Sequence, residues 1–370
     1  MLRAISLLLL VLSAAFGVAP HAHAQTLALG SVTILGNDPY PCTLARNGSK
    51  FYPGMNCFDA KLSCPSVADI NLTFGWTGPS SPRGTIVFFS GGTGESPTEN
   101  DDDIPTYAAS YVSTFEIVYL EWTGSPWEDP SSDGSGGNIL AAACRPATFL
   151  NYINTSGFHQ GAMCAQGASA GSAAIAYSMA WYGAASYLTD VQLISGPVLS
   201  EIDQGCTHPN ASTPTLCASG TTYCSHATAS WMDRIIYVPY YNMGVSNWSG
   251  LPNCATSNVD PANYPKWAAM SIVDGSTTGA TPTFSYPNVA KHGWLCQSYS
   301  SCTMPSCPNN SASEGKYFYD AISRTGDTNL TVTGVTMCAG AEGVAQGTDP
   351  DTLLPAPRAI QNNMVANCHN

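Results

Sequence analysis

Gly167-Ala168-Ser169-Ala170-Gly171 decides how the chain is read. It fits the G-x-S-x-G pattern of a sharp strand-to-helix turn that lifts a serine hydroxyl to the rim of a sheet. The flanks agree. Residues 162–166, Ala-Met-Cys-Ala-Gln, form a short apolar run suited to a buried strand. Residues 172–182 are rich in alanine and free of glycine and proline, and Gly183 follows as a natural helix C-cap. A serine on so tight a turn needs glycine or alanine beside it, because larger side chains would collide with the sheet. The competing interpretation is a small-residue turn before a helix, which occurs by chance in a chain with 34 glycines. The strand before and the helix after favour the nucleophile.

The start of the chain predicts export. Arg3 is followed by a mostly apolar stretch, 4–18, too short to span a bilayer, and then by Ala22-His23-Ala24, which matches an A-x-A cleavage site. Residues 1–24 are read as a signal peptide. The 14 cysteines all lie beyond it, and an even count behind a leader points to disulfides in a secreted or periplasmic protein. Cys42 with Cys57 is a plausible pair, while the remaining connectivity stays open. Cys296, Cys302 and Cys307 near His292 do not have the spacing of a zinc site, so no metal is expected. No cofactor motif is present.

The 370 residues carry only 10% charged side chains and a formal net charge of −13. With 12 Lys plus Arg there is no basic patch for phosphate, which argues against nucleic acid as a partner. No later stretch predicts a membrane span. The acidic run at 99–103 lacks the spacing of a calcium loop and reads as a solvated segment.

Hydrophobic patterning orders the elements. Residues 25 to about 80 read as a turn-rich lead-in ending in a half-buried strand at 69–76. Strands are predicted at 84–90, 115–122, 162–166, 190–195, 290–296 and 330–337, with helical segments at 138–154, 172–182, 315–323 and 357–367. Residues from about 200 to 275 are dense in Cys, Pro, Asn and Trp and read as a disulfide-stapled insertion. Strands alternating with helices predict one α/β domain over 25–370, a mainly parallel sheet with helices on both faces.

Gly91-Gly92-Thr93-Gly94 follows the first core strand directly. Acyl transfer puts negative charge on a carbonyl oxygen, and backbone N–H groups aimed at that oxygen supply much of the rate enhancement. The amides of Gly92 and Ala170 are the candidate oxyanion donors. An ordinary strand-to-loop turn is the plainer interpretation of the same glycines. Trp122 and Trp127 flank residues 123–126 and are candidates for lining a cleft, against core packing as the default.

Three stretches, 88–94 (Phe-Phe-Ser-Gly-Gly-Thr-Gly), 143–148 (Ala-Cys-Arg-Pro-Ala-Thr) and 164–173 (Cys-Ala-Gln-Gly-Ala-Ser-Ala-Gly-Ser-Ala), resemble a group of secreted bacterial α/β-hydrolase-fold proteins. Ser195-Gly196-Pro197 and Ser285-Tyr286-Pro287-Asn288 fit the same pattern. The resemblance implies an α/β-hydrolase fold and a Ser, Asp, His triad in that order. The chain departs from it at two points. The loop at 296–301, where the acid is expected, has no carboxylate. The loop after the last strand has Glu342 or Gly343 where the histidine is expected.

A serine hydroxyl is a weak nucleophile without an adjacent base. Glu342 is one candidate base. His369 is another, on the condition that a Cys338–Cys368 disulfide ties it to that loop. Asp203 is the acid candidate, with Glu201 beside it, and Asp274 is a lesser one in a plain turn signal. His208 and His226 lie in the insertion, while His159 and His292 fall far from the serine. Two functions follow: an exported serine hydrolase acting on small-molecule or polymer carboxylic esters through Ser169, or a hydrolase-fold protein that has lost catalysis and serves as a binding module.

Overall fold

The structure is a computed structural model and describes residues 26–92, 94, 111–124, 126–129, 139–202, 265, 268–275, 279–296, 315–338, 344 and 347–369. The expected leader, the acidic run at 99–103 and almost all of the insertion, with Asp203, His208 and His226, lie outside these residues, as does Glu342.

Among the described residues, nine strands form one sheet: β1 (Ser31–Pro41), β2 (Asn56–Ser63), β3 (Ile70–Thr77), β4 (Gly84–Phe89), β5 (Glu116–Thr123), β6 (Ala162–Ala168), β7 (Leu188–Ile194), β8 (Ala290–Cys296) and β9 (Leu330–Val335). Their spatial order is β1-β2-β3-β5-β4-β6-β7-β8-β9. From β5 to β9 every neighbouring pair is parallel, whereas β1, β2 and β3 join as an antiparallel wing on β5. The swap that places β4 between β5 and β6 is that of the α/β-hydrolase fold, and the parallel pairing from β5 to β9 is what the alternating elements predict.

The wing corrects the sequence reading of residues 25 to about 80, where only the last strand was expected. In β2 the fully buried Cys57, Ala60 and Leu62 are interrupted by Asp59 and Lys61, and β1 is broken by a register shift between Leu35 and Tyr40. Neither run is apolar enough to stand out among the surrounding Cys, Pro, Gly and Asn.

Among the described residues, the four longer helices pack on the sheet: α1 (Cys144–Thr155), α2 (Ala170–Tyr182), α3 (Gly315–Arg324) and α4 (Ala356–Asn367). The pleat sorts the core between two faces. On β4, Val87 and Phe89 join the cluster that holds α1, α2 and Phe318 of α3. Ile86 and Phe88 face the other way, into a cluster with Tyr111, Phe115 and Met364 of α4. Helices therefore cover both faces, as expected. Every residue of α2 is buried, which explains why its sequence is mostly small and apolar rather than amphipathic.

Four disulfides link the described residues: Cys42–Cys57, Cys64–Cys144, Cys164–Cys368 and Cys296–Cys338. The first is the pair anticipated from sequence. The third crosses the molecule between residues 204 apart and holds the end of α4 against β6.

Candidate active site

Parallel strands β4, β6, β7 and β8 end on one edge of the sheet, and each leads into a segment with unusual backbone geometry or a staple. Ser169 sits at the end of β6 with φ 50° and ψ −116°, and α2 starts at the next residue. A non-glycine residue in the left-handed half of conformational space is uncommon and is held only by its surroundings. Those surroundings are visible. The Ser169 N–H donates to Ile194 O at 2.8 Å, and Ser169 O accepts from Ala173 N–H at 3.1 Å and from the Ser172 hydroxyl. The residue is 4% exposed, so the strained turn is locked by main-chain bonds and packing on both sides.

Both flanking glycines of the motif are sterically required. A methyl group on Gly167 would overlap Gly171 O, and one on Gly171 would overlap Phe89 O, with Ser90 O 2.7 Å away. The second contact matters for chemistry. It lays the turn just after Ser169 against the end of β4, immediately before Gly91 and Gly92. The Gly94 N–H donates to Gly91 O at 3.0 Å and closes a tight turn in which Gly92 has φ 55°. This arrangement lays the residue after Ala170, the first position of α2, against the strand end that leads into the Gly92 turn. An α-helix N-terminus presents unbonded N–H groups and a partial positive charge. Such a corner can stabilise an anion that develops beside the Ser169 hydroxyl.

The loop after β7 adds to the same edge. Ser195 (φ 51°) and Leu199 (φ 65°) are further non-glycine residues with left-handed backbone, and both are buried. The Ser195 N–H donates to Trp294 O at 2.9 Å, and Tyr319 on α3 donates to Gly196 O at 2.5 Å. Glu201, next along this loop, is 7% exposed. The Cys296–Cys338 disulfide ties the loop after β8 to the loop after β9, the two loops in which the resemblance implies the acid and the histidine. No sequence spacing identified that staple.

The structure overturns the route by which His369 would reach the serine. Cys338 pairs with Cys296, and Cys368 pairs with Cys164. Cys164 lies five residues before Ser169 on β6, roughly 16 Å down the strand at about 3.3 Å per residue. His369 is exposed and anchored toward the opposite edge of the sheet. His159 and His292 are also far from the serine, as expected. His159 Nδ1 lies 3.1 Å from Asn154 O. His292 Nε2 lies 3.7 Å from Asp190 near the start of β7. Burial pushes the Asp190 carboxyl up and the His292 imidazole down, each toward its neutral form. Asp274 is an exposed turn residue. Among the described residues, no His, Asp or Glu side chain is hydrogen-bonded to the Ser169 hydroxyl.

The tryptophans follow the default of core packing. Trp122 and Trp127 are each 1% exposed and belong to the core, not to a cleft wall. Trp127 meets Tyr177 of α2 edge-on at 6.2 Å. Arg145, from the stretch at 143–148, is fully buried and donates to the carbonyls of Trp127 (2.9 Å), Asp129 (2.5 Å) and Ala68 (2.7 Å). It fastens the loop that follows β5. The sequence offered no sign of this role beyond the resemblance.

Fold and turn together define a protein of the α/β-hydrolase fold class. No family model matches the chain, and no curated protein matches it. Among solved structures it is similar to acetyl xylan esterase 1 from Thermoanaerobacterium sp., with 10% identity over 84% of this chain and 81% of that one and a TM-score of 0.38. It is similar to Est1E from Butyrivibrio proteoclasticus with ferulic acid bound, with 11% identity over 83% and 98% and a TM-score of 0.43. It is also similar to an esterase from Pyrococcus furiosus, with 10% identity over 93% and 99% and a TM-score of 0.41.

Proposed function

We propose that the chain is an exported serine hydrolase that cleaves carboxylic esters. Ser169 Oγ attacks the ester carbonyl carbon and passes its proton to a base. The amides of Gly92 and Ala170 receive the oxyanion, and the tetrahedral adduct collapses to an acyl-enzyme as the C–O bond breaks and the base hands its proton to the departing alkoxide, releasing the alcohol. Water then releases the acid by the same path. Glu342 is the proposed base and Asp203 the proposed acid. An ordinary glutamate, with a pKa of about 4.3, is a weak base at neutral pH, so Glu342 needs an environment that raises its proton affinity. Four disulfides and the leader-like residues 1–24 support an oxidising compartment.

One observation carries the proposal. Ser169 is held at φ 50° on a strand-to-helix turn whose second glycine packs on the carbonyls that precede Gly92. A fluorophosphonate probe tests it. Wild type is labelled, Ser169→Ala is not, and Glu342→Gln lowers the hydrolysis rate of a short-chain nitrophenyl ester at least tenfold. A wild type that takes no label between pH 5 and 9 overturns the reading. It would favour instead a hydrolase-fold binding module, an alternative motivated by the missing histidine in the loop after β9.

A further inference from the structure

The Gly91–Gly94 turn is pinned at both ends, and the two pins come from different elements. At its start, Gly171 of α2 packs against the carbonyls of Phe89 and Ser90. At its end, the main-chain N–H of Trp122 on β5 donates to Gly94 O at 2.8 Å. The Trp122 ring lies directly beneath Gly94. A methyl group there would overlap Cδ1 and come within 3.0 Å of Nε1. Gly94 has φ 61°, so it is glycine for two reasons, its backbone conformation and the ring against it. Trp122 is 1% exposed, paired with Leu72 of β3 and packed in the main core, so the ring itself has little freedom to move.

We propose that Trp122 is a positioning residue for catalysis. Its indole ring is the fixed platform that sets where the Gly91–Gly94 turn stands, and so where the Gly92 amide points relative to Ser169. This rests on the serine-hydrolase reading above. An oxyanion donor acts only when it is already in place as the charge develops, because reorganising it during the reaction forfeits the stabilisation. A loop of three glycines in four residues has little rigidity of its own. The rigidity therefore has to be borrowed, and the contact with Trp122 supplies it. Replacing the ring leaves the Trp122 main-chain bond to Gly94 intact, which separates the effect of the platform from that of the sheet.

The test uses full-length protein, with hydrolysis of 4-nitrophenyl acetate and inhibition by phenylboronic acid. The boronate adds to the serine oxygen and places one hydroxyl where the oxyanion would sit. Trp122→Phe and Gly94→Ala are expected to lower kcat by tenfold or more per folded molecule, with KM within about twofold. The inhibition constant of the boronate should rise by a factor matching the loss in kcat. A platform that served only stability would lower the melting temperature and leave kcat and boronate affinity unchanged per folded molecule, and that result overturns the proposal. Should Trp122→Phe fail to fold, Gly94→Ala decides by the same readouts. An active, probe-labelled wild type with unaffected variants sinks this inference alone. A wild type with no Ser169-dependent hydrolysis sinks the hydrolase reading and this inference with it.

Discussion

At the scale of single residues, buried polar groups set how the protein responds to pH and to mutation. Glu116 opens β5, where it is 1% exposed. Burial raises its pKa from the ordinary 4.5 to about 7, against the opposing hydrogen bond from the Thr85 hydroxyl. A carboxyl whose pKa is raised on folding favours the native state while it keeps its proton. That contribution is complete below about pH 4.5 and is lost as the pH rises through about 7. Denaturant midpoints at pH 5 and pH 8 check this. Wild type should lose more stability between the two than Glu116→Gln, which has no proton to lose, and equal losses would count against it. Lys291 and Asp327 form a different kind of buried pair, 3.0 Å apart with both side chains fully enclosed. Lys291 also donates to the carbonyls of Tyr286 and Val289. Removing one partner strands the other charge, so Lys291→Met should cost about 3–5 kcal/mol in urea unfolding. A loss under about 1 kcal/mol would show that the pair is not closed off from water.

At the scale of elements, the disulfides divide into those that hold the scaffold and one that holds the rim. Cys164–Cys368 anchors the end of α4 to the early half of β6, away from Ser169. Converting both cysteines to alanine should cost roughly 2–5 kcal/mol of stability. It should leave fluorophosphonate labelling at Ser169 unchanged at temperatures where the variant is folded. Converting Cys296 and Cys338 to serine frees the loops after β8 and β9 from each other. That change should slow labelling and ester hydrolysis severalfold with only a modest loss in melting temperature. If the two double variants behaved alike, the assignment of one staple to the scaffold and one to the site would fail. The same geometry explains why His369 is a poor base: the element that carries it is moored to the wrong end of β6.

At the scale of the whole molecule, much of the parallel half of the sheet was legible because central strands such as β4 and β6 are buried on both faces and read as short, largely apolar runs. The segments 84–90, 115–122 and 290–296 were each located within a residue or two of β4, β5 and β8. The antiparallel wing was not legible. β1 and β2 alternate with charged and polar residues and owe their place to pairing, β1 with β2 and β2 with β3, and to Cys42–Cys57. Local chemistry marked Ser169, Gly92 and Ala170 as candidates, because a tight turn and a flexible glycine stretch are written in consecutive residues. The sequence by itself determined the strand-turn-helix at Ser169, the two-faced layering and the presence of disulfides. Only the tertiary structure decided which cysteines pair, that Trp122 and Trp127 are core residues, that Gly94 rests on the Trp122 ring, and that His369 stands at the far edge. The division has a physical cause. Turn conformation and apolar periodicity are short-range properties of neighbouring residues, whereas a staple, a platform or a distance between sheet edges arises from residues tens to hundreds apart that meet only after the sheet has closed.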